Sequence, residues 1–279
     1  MIKVEGLVKQ FGTRIVLDHL NLHVDTGEVF GLLGPNGAGK TTTIRILTML
    51  TQPTAGTVMI NGWRVPEDAS AVKSVIGVVP QHFNLDNDLT ARENLELHGR
   101  LHHMPKNQMN DRIAELLVFT ELNDRKDDMV QSFSGGMKRR LMIARALLHR
   151  PCILFMDEPT VGLDPQVRRK LWGLIRRMQY EGVTVLLTTH YIEEAENLCN
   201  RVAILDQGKL IAVNSPLSLC QRLGEFVVEW NDGGVTQFRF FANRLEAAQF
   251  AATLSVNTTL RCSNLEDAFV ELTGRKVVE

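Results

Sequence analysis

The stretch that decides the fold is Gly34-Pro35-Asn36-Gly37-Ala38-Gly39-Lys40-Thr41-Thr42. It fits Gly-x-x-x-x-Gly-Lys-Thr, the pattern of the phosphate-binding loop of nucleoside triphosphatases. The apolar run at 29–33 before it predicts a short buried strand, and the run at 43–50 after it has the spacing of a buried helix. Strand, glycine loop and helix are the context that the motif requires.

The residue types of this loop suit a phosphate ligand. Glycines let backbone N–H groups face one concavity, and the N-terminus of the following helix adds partial positive charge there. Lys40 supplies a cation for the β- and γ-phosphates, and the Thr41 hydroxyl suits a Mg²⁺ ion. The sequence therefore predicts a site for a nucleoside triphosphate and Mg²⁺.

The bulk composition narrows the class of protein. A chain of 279 residues suits one large domain, or one domain with a small appendage. The formal net charge of −1 provides no basic field, so we expect no nucleic-acid partner. The four cysteines form no Cys-x-x-Cys pair, which argues against structural zinc and fits a reducing compartment. Neither a signal peptide nor an apolar run long enough to span a membrane is recognisable, so we expect a soluble cytoplasmic protein whose membrane role would come through a partner.

Two further candidates lie near the loop in sequence. Residues 1–33 predict several short strands, and Phe11 lies among them. Its ring either stacks on a purine or packs on the sheet, and the sequence leaves both open. The buried strand predicted at 75–79 delivers Gln81, which is well placed to touch a metal ion or an attacking water.

From about 86 to 149 helical patterns replace strand patterns. Thr90 and Glu93 form a capping box at the start of one helix, and residues 135–148 predict a well-buried helix. His98 and His102 are four residues apart, a spacing compatible with a metal ion. With no carboxylate at a matching spacing, we interpret them as part of a solvated helix face.

Two later strands end in polar residues. The apolar run from Cys152 ends in Asp157 and Glu158, where the first acid can face Mg²⁺ and the second an attacking water. The run at 183–187 leads to His190, which either donates to a phosphate oxygen or bonds a nearby carbonyl. Asp164 and Pro165 predict the cap and first position of a helix.

The region after about 215 carries no recognisable catalytic group. Residues 226–230 and 235–240 predict a hairpin around Asp232-Gly233-Gly234. A capping box at 263–266 predicts a last helix. The predicted organisation is an ATPase core at 1–215 with its helical insertion at about 86–149, and a small α+β appendage at 216–279.

The ordered motifs together resemble the nucleotide-binding subunit of ATP-binding-cassette (ABC) transporters. They cover residues 1 to about 215 and comprise the loop at 34–42, Gln81, Phe133-Ser134-Gly135-Gly136-Met137, Asp157-Glu158, Gly162-Leu163-Asp164 and His190. The family signature is usually Leu-Ser-Gly-Gly-Gln, so Phe133 and Met137 are departures, and Phe11 replaces a frequent Tyr. Several longer stretches look like the exporter ATPases of the drug-resistance and nodulation-factor type.

The resemblance implies an α/β fold, with a phosphate-loop ATPase core, an N-terminal antiparallel β subdomain, a helical insertion and a small C-terminal appendage. It also implies ATP and Mg²⁺ as cofactors and a head-to-tail dimer, in which the Lys40 loop of one copy faces Ser134, Gly135 and Gly136 of the other. Glu158 would be the base, His190 would steady the γ-phosphate, Asp157, Thr41 and Gln81 would serve the metal, and Asp164 would lie near the nucleotide.

The implied setting is the cytoplasmic face of the inner membrane, where the chain is peripheral through a separate transmembrane permease. Two alternatives stay open. One is a soluble ABC ATPase without transport, although the two cassettes, coiled coil or zinc modules usual there are not recognisable. The other is a nucleotide-dependent switch that hardly hydrolyses, against which Glu158 argues.

Overall fold

The computed structural model describes residues 1–274. The strands are β1 Ile2–Phe11, β2 Arg14–Val24, β3 Val29–Leu33, β4 Ala55–Ile60, β5 Trp63–Val65, β6 Ile76–Val79, β7 Ile153–Asp157, β8 Thr184–Thr189, β9 Arg201–Asp206, β10 Lys209–Asn214, β11 Phe226–Asp232, β12 Val235–Phe241 and β13 Thr258–Cys262. The helices are α1 Lys40–Leu47, α2 Ala69–Val75, α3 Ala91–Leu101, α4 Lys106–Phe119, α5 Gly135–Leu147, α6 Pro165–Tyr180, α7 Ile192–Leu198, α8 Pro216–Gln221, α9 Arg244–Thr253 and α10 Leu265–Thr273.

The central sheet has the order β10-β9-β3-β8-β7-β6. Its strands run parallel except for β10, which is antiparallel to β9. Both faces are covered, which is why every residue of β3 and β7 is buried and why both strands are apolar apart from Asp157 at the end of β7. Because parallel strands end at one edge, the chain segments after β3, β6, β7 and β8 meet there.

The N-terminal region contains longer strands than predicted. The alternation at residues 2–4 and 20–24 marks only the ends of β1 and β2, which have 10 and 11 residues. Register shifts interrupt their pairing, and these irregularities hide the alternation in between. With β4 and β5 they form an antiparallel sheet that packs over β3 and α1 in a second apolar core.

The stretch from 86 to 149 is helical, as predicted. Thr90 and Glu93 form the expected capping box of α3, and α5 is buried along most of its length. Helix α2 was not foreseen, because its seven residues bury only Val72 and leave little pattern.

The C-terminal region combines the sheet β12-β11-β13 with three helices. The hairpin is confirmed, and its turn is Gly233-Gly234, with φ of 58° and 88°. The capping box lies one residue later than predicted, at Asn264 and Asp267. Helices α8 and α10 bury side chains in the main core, Phe269 among them, so this region is joined to the ATPase core rather than set apart. Over residues 1–274, no helix is both long and apolar enough to cross a membrane.

Candidate functional site

The phosphate-binding loop joins β3 to α1 at the edge of the sheet. Gly39 caps α1 in a left-handed conformation with φ of 106°. A Cβ atom at Gly39 would lie 2.6 Å from Leu17 Cδ2, and one at Gly34 would lie 2.2 Å from the Leu205 carbonyl oxygen. Side chains are therefore excluded at both positions, and the packed sheet fixes the path of the loop.

Lys40 lies at the bottom of this loop. Its ammonium donates to the carbonyls of Gly34 at 2.7 Å and Pro35 at 3.2 Å, and it is 3.2 Å from Glu158 Oε1. Burial lowers the pKa of Lys40, and the charges of Glu158 and Asp157 oppose that effect. The ammonium is thus a buried cation beneath the loop, a group that could form strong bonds to phosphate oxygens.

Asp157 ends β7 and faces the loop across the sheet edge. Its Oδ1 accepts from the Thr41 hydroxyl at 3.1 Å and from the Thr188 hydroxyl at 2.5 Å. A carboxylate and a hydroxyl so close together form a set of hard oxygen donors, the ligand type that Mg²⁺ prefers. The residues present therefore fit a magnesium ion held beside the phosphates.

Glu158 adopts a left-handed backbone conformation with φ of 49°, which is unusual for a residue other than glycine. Its N–H donates to Thr188, and its side chain is only 6% exposed. Oε2 lies 2.5 Å from His190 Nδ1, a close contact whose angle is not that of a good hydrogen bond. Such backbone strain is common at active sites, where it aims a side chain.

Gln81 follows β6 and is held through its main chain. The guanidinium of Arg139, on α5, donates to the carbonyls of Pro80 at 2.7 Å and Gln81 at 2.9 Å. Arg139 is 2% exposed, and burial lowers its pKa. This cation fastens α5, the last helix of the helical segment, to the segment that carries Gln81.

Gly135 and Gly136 are the first two residues of α5, and Ser134 precedes them. Ser134 caps the helix, and its hydroxyl accepts from the Met137 N–H at 3.3 Å. A Cβ atom at Gly136 would lie 2.4 Å from Val167 Cγ1, whereas one at Gly135 would meet nothing closer than 3.7 Å. A side chain at 136 would therefore press on Val167, while 135 has room for one.

The remaining predicted site residues are at the surface. Asp164 is the N-cap of α6, as predicted, but its side chain makes no capping bond. Phe11 ends β1 with 52% of its surface exposed, and the Lys9 ammonium lies 4.6 Å from its ring centre. Arg14, its partner across β1 and β2, borders a cavity of about 430 Å³ whose wall includes Pro35, Asn36, Gly37 and Ala38.

Two residues of this site were missed by the sequence analysis. Thr188 is the register partner of Asp157, and the signal was a polar residue that ends an apolar strand. Arg139 lies on a helix face that is otherwise apolar, and this buried charge was the signal. One earlier interpretation was wrong: His98 and His102 are half-buried and lie beside His149, not on a solvated face.

Comparisons with known proteins find matches in both sequence and fold. The family described as ABC transporter matches residues 17–161. The Nod factor export ATP-binding protein I of Cupriavidus metallidurans is 41% identical, with 99% of this chain and 98% of that protein covered. The structure of cbiO1 from Clostridium perfringens, part of the ABC transporter complex cbiONQ, has a TM-score of 0.72 at 27% identity, covering 77% of this chain and 88% of that one. A dimeric ATP-binding cassette in a post-hydrolysis state, bound to ADP and Pi, has a TM-score of 0.69 at 30% identity, covering 77% and 98%.

Proposed function

Because this chain belongs to the ABC transporter family of ATP-binding proteins, we propose that it is the ATPase subunit of an exporter and acts with a separate membrane subunit. It is an ABC ATPase, and its homologues bind and hydrolyse ATP as dimerising cassettes. Export is the finer part of the proposal, and the relative named for Nod factor export supports it. The observation that carries the proposal is the convergence of Lys40, Asp157, Glu158 and His190 at one edge of the sheet.

Within this site each residue has a task that its position supports. Lys40 and the backbone N–H groups of the loop would bind the phosphates, which would compete with Glu158 for the ammonium. Glu158 would accept a proton from the attacking water, and His190 would hold the γ-phosphate beside it. Thr41 and Asp157, with Gln81 nearby, would hold Mg²⁺, which when bound neutralises charge on the phosphates.

The proposed dimer places the Lys40 loop of one copy opposite Ser134 and Gly135 of the other. The cavity beside the loop and the cavity beside Ser134 share no lining residue, so each copy offers two separate halves of a site. Exposed N–H groups at the start of α5 suit a γ-phosphate, which ADP lacks. Hydrolysis would therefore weaken the dimer, and a membrane partner docked near residues 80–89 would follow that change.

The experiment that tests this function uses Glu158→Gln, which keeps the size of the side chain and removes the base. We expect ATP binding to persist, turnover to fall at least roughly 10²-fold, and an ATP-dependent dimer to accumulate on size-exclusion chromatography. Adding Ser134→Arg to the same chain should remove that dimer, because the larger side chain blocks the approach of the partner. Ser132→Arg, an exposed position just before the signature, is the matched control and should leave the dimer intact.

A chain that stays monomeric with ATP, alone and with its membrane partner, would contradict the head-to-tail arrangement. Turnover that is unchanged in Glu158→Gln would contradict the assignment of the base. Co-purification with a multi-helix membrane protein separates transport from a soluble ABC ATPase, and steady-state turnover of the unmodified chain separates an ATPase from a nucleotide-dependent switch.

A further inference from the structure

Three histidines meet where the helical segment joins the central sheet. His98 lies in the last turn of α3, His102 caps its C-terminus, and His149 follows α5. One ring nitrogen from each lies within 4.8 Å of the others, and all three side chains are half-buried. None of the three is among the residues assigned to ATP.

The hydrogen bonding of His149 leaves one of its ring nitrogens free to bind a metal ion. Its Nε2 lies 2.8 Å from the Ile76 carbonyl oxygen, a contact that only an N–H can satisfy. Nδ1 therefore carries the lone pair, and within the described chain this buried atom has no hydrogen-bond partner. Histidines that bind metals commonly donate their other ring N–H to a backbone carbonyl, which fixes the tautomer and the ring orientation.

The surroundings keep the three rings in the neutral form that metals bind. Burial, with smaller effects from Arg145, His102 and His149, lowers the pKa of His98 to about 4. Burial also lowers the pKa of His102 and of His149. Protons therefore compete weakly for these nitrogens near neutral pH.

We propose that His98, His102 and His149 bind one divalent transition-metal ion of the Zn²⁺ type. Three imidazoles with one open position are an established ligand set for zinc, whereas Mg²⁺ prefers oxygen ligands. The ion would join the end of α3 to the residue that follows α5, and through Ile76 to the start of β6. It would thus clamp the helical segment to the sheet.

Binding requires a small rearrangement that the site has room for. The rings of His102 and His149 are stacked, 4.0 Å apart and 8° from parallel, so their lone pairs do not converge. Tetrahedral coordination needs nitrogens about 3.3 Å apart, and turning the His102 ring at its helix end closes the gap. His102 and His149 border an open cavity of about 680 Å³, with room for a water as fourth ligand. Asp111 and Glu115 line the same cavity, as do Arg112 and Arg150, which both form ion pairs with Glu115.

The test titrates ZnCl₂ into the full chain after treatment with a chelator, without ATP. We expect calorimetry to give one ion per chain, and at a hundredfold excess over the Kd we expect Tm to rise by at least about 5 °C. MgCl₂ should give no rise. His98→Gln, His102→Gln and His149→Gln should each weaken Zn²⁺ binding at least tenfold and abolish the rise. The matched control is His103→Gln, an exposed neighbour that should behave like the unmodified chain.

Equal Tm values in chelator for His102→Gln and the unmodified chain establish that the fold of this variant is intact. If His149→Gln does not fold, His98→Gln and His102→Gln test the proposal without it. No saturable binding at one ion per chain would overturn the proposal. Zn²⁺ binding that survives the loss of His98 and His102 would also overturn it. Binding that disappears in His190→Gln would overturn it as well, because the ion would then lie in the ATP site. Because the readouts are affinity and Tm, failure here leaves the proposed ATPase function untouched.

Discussion

The phosphate-binding loop and the Ser134–Gly136 segment are both glycine-containing starts of helices, yet the fold treats them differently. Around the loop the packed sheet leaves no room at Gly34 or Gly39, and every residue of β3 is buried. At the start of α5, Ser134 and Gly135 are exposed, and Gly135 has space around it. The packing of a single chain therefore fixes the phosphate-binding loop, which is one half of the proposed site. The other half, the Ser134–Gly136 segment, is an exposed surface.

The two segments differ in what requires a glycine: the packing of the chain itself, or a partner that approaches its surface. In the loop, glycine is required by the fold of the chain itself, so its role would be seen in the stability of the monomer. At 135 the fold sets no such requirement. A need for glycine there would therefore arise from a second copy of the chain that approaches this surface. The four predictions below test this contrast and the nucleotide site beside it, from the largest expected effect to the smallest.

Lys40→Ala should have the largest effect. It removes the buried cation of the phosphate-binding loop, so turnover should fall by at least about 10²-fold. Calorimetry should also show weaker binding of ATP. Lys73→Ala, at an exposed position of α2, is the control and should leave both quantities unchanged. An unaltered affinity and turnover in Lys40→Ala would refute the assignment of the loop.

Gly136→Ala and Gly135→Ala form a matched pair on one helix. The alanine at 136 would press on Val167, so we expect the free energy of unfolding to fall by about 1–2 kcal/mol. The alanine at 135 has room and should leave stability unchanged or slightly higher. Urea denaturation measures both values.

The same pair tests the open surface. If a second copy approaches Gly135, Gly135→Ala should weaken the ATP-dependent dimer formed in a Glu158→Gln background by about tenfold, although the monomer is stable. A dimer of full strength in Gly135→Ala would mean that nothing approaches this surface closely.

Phe11→Ala should have the smallest effect. Base–aromatic stacking is worth about 1–3 kcal/mol, and a ring that is half exposed should give the lower value, about fivefold in the Kd for ATP. Ile15→Ala, exposed on the neighbouring strand, is the control. A change in Kd no larger than that of the control would mean that Phe11 does not stack on adenine and only packs at the end of β1.

Much of the sheet edge that carries the candidate site was predictable because its signals are local. The runs before Gly34, before Asp157 and before His190 predicted buried strands, and the structure confirms β3, β7 and β8 with these residues at their ends. Capping residues such as Thr90 and Asp164 were also placed correctly, since a cap depends on the few residues beside it.

Contacts between distant segments were not predictable. The bonds from Arg139 to the carbonyls of Pro80 and Gln81 join residues 58 and 59 positions apart, and the meeting of His149 with His98 depends on how α3 and α5 pack. The burial of α10 in the main core is of the same kind.

The sequence by itself therefore determined the strands and helices that meet at the edge with the candidate site, the phosphate-binding loop and the acids that face it. Hydrophobic period, capping and glycine placement act over a few residues, and a single sequence displays them. Only the tertiary structure decided that Lys40 and His190 contact the same carboxylate, that Glu158 adopts a left-handed backbone, and that three histidines lie close together. These features depend on distances between elements, which packing sets and local pattern does not encode.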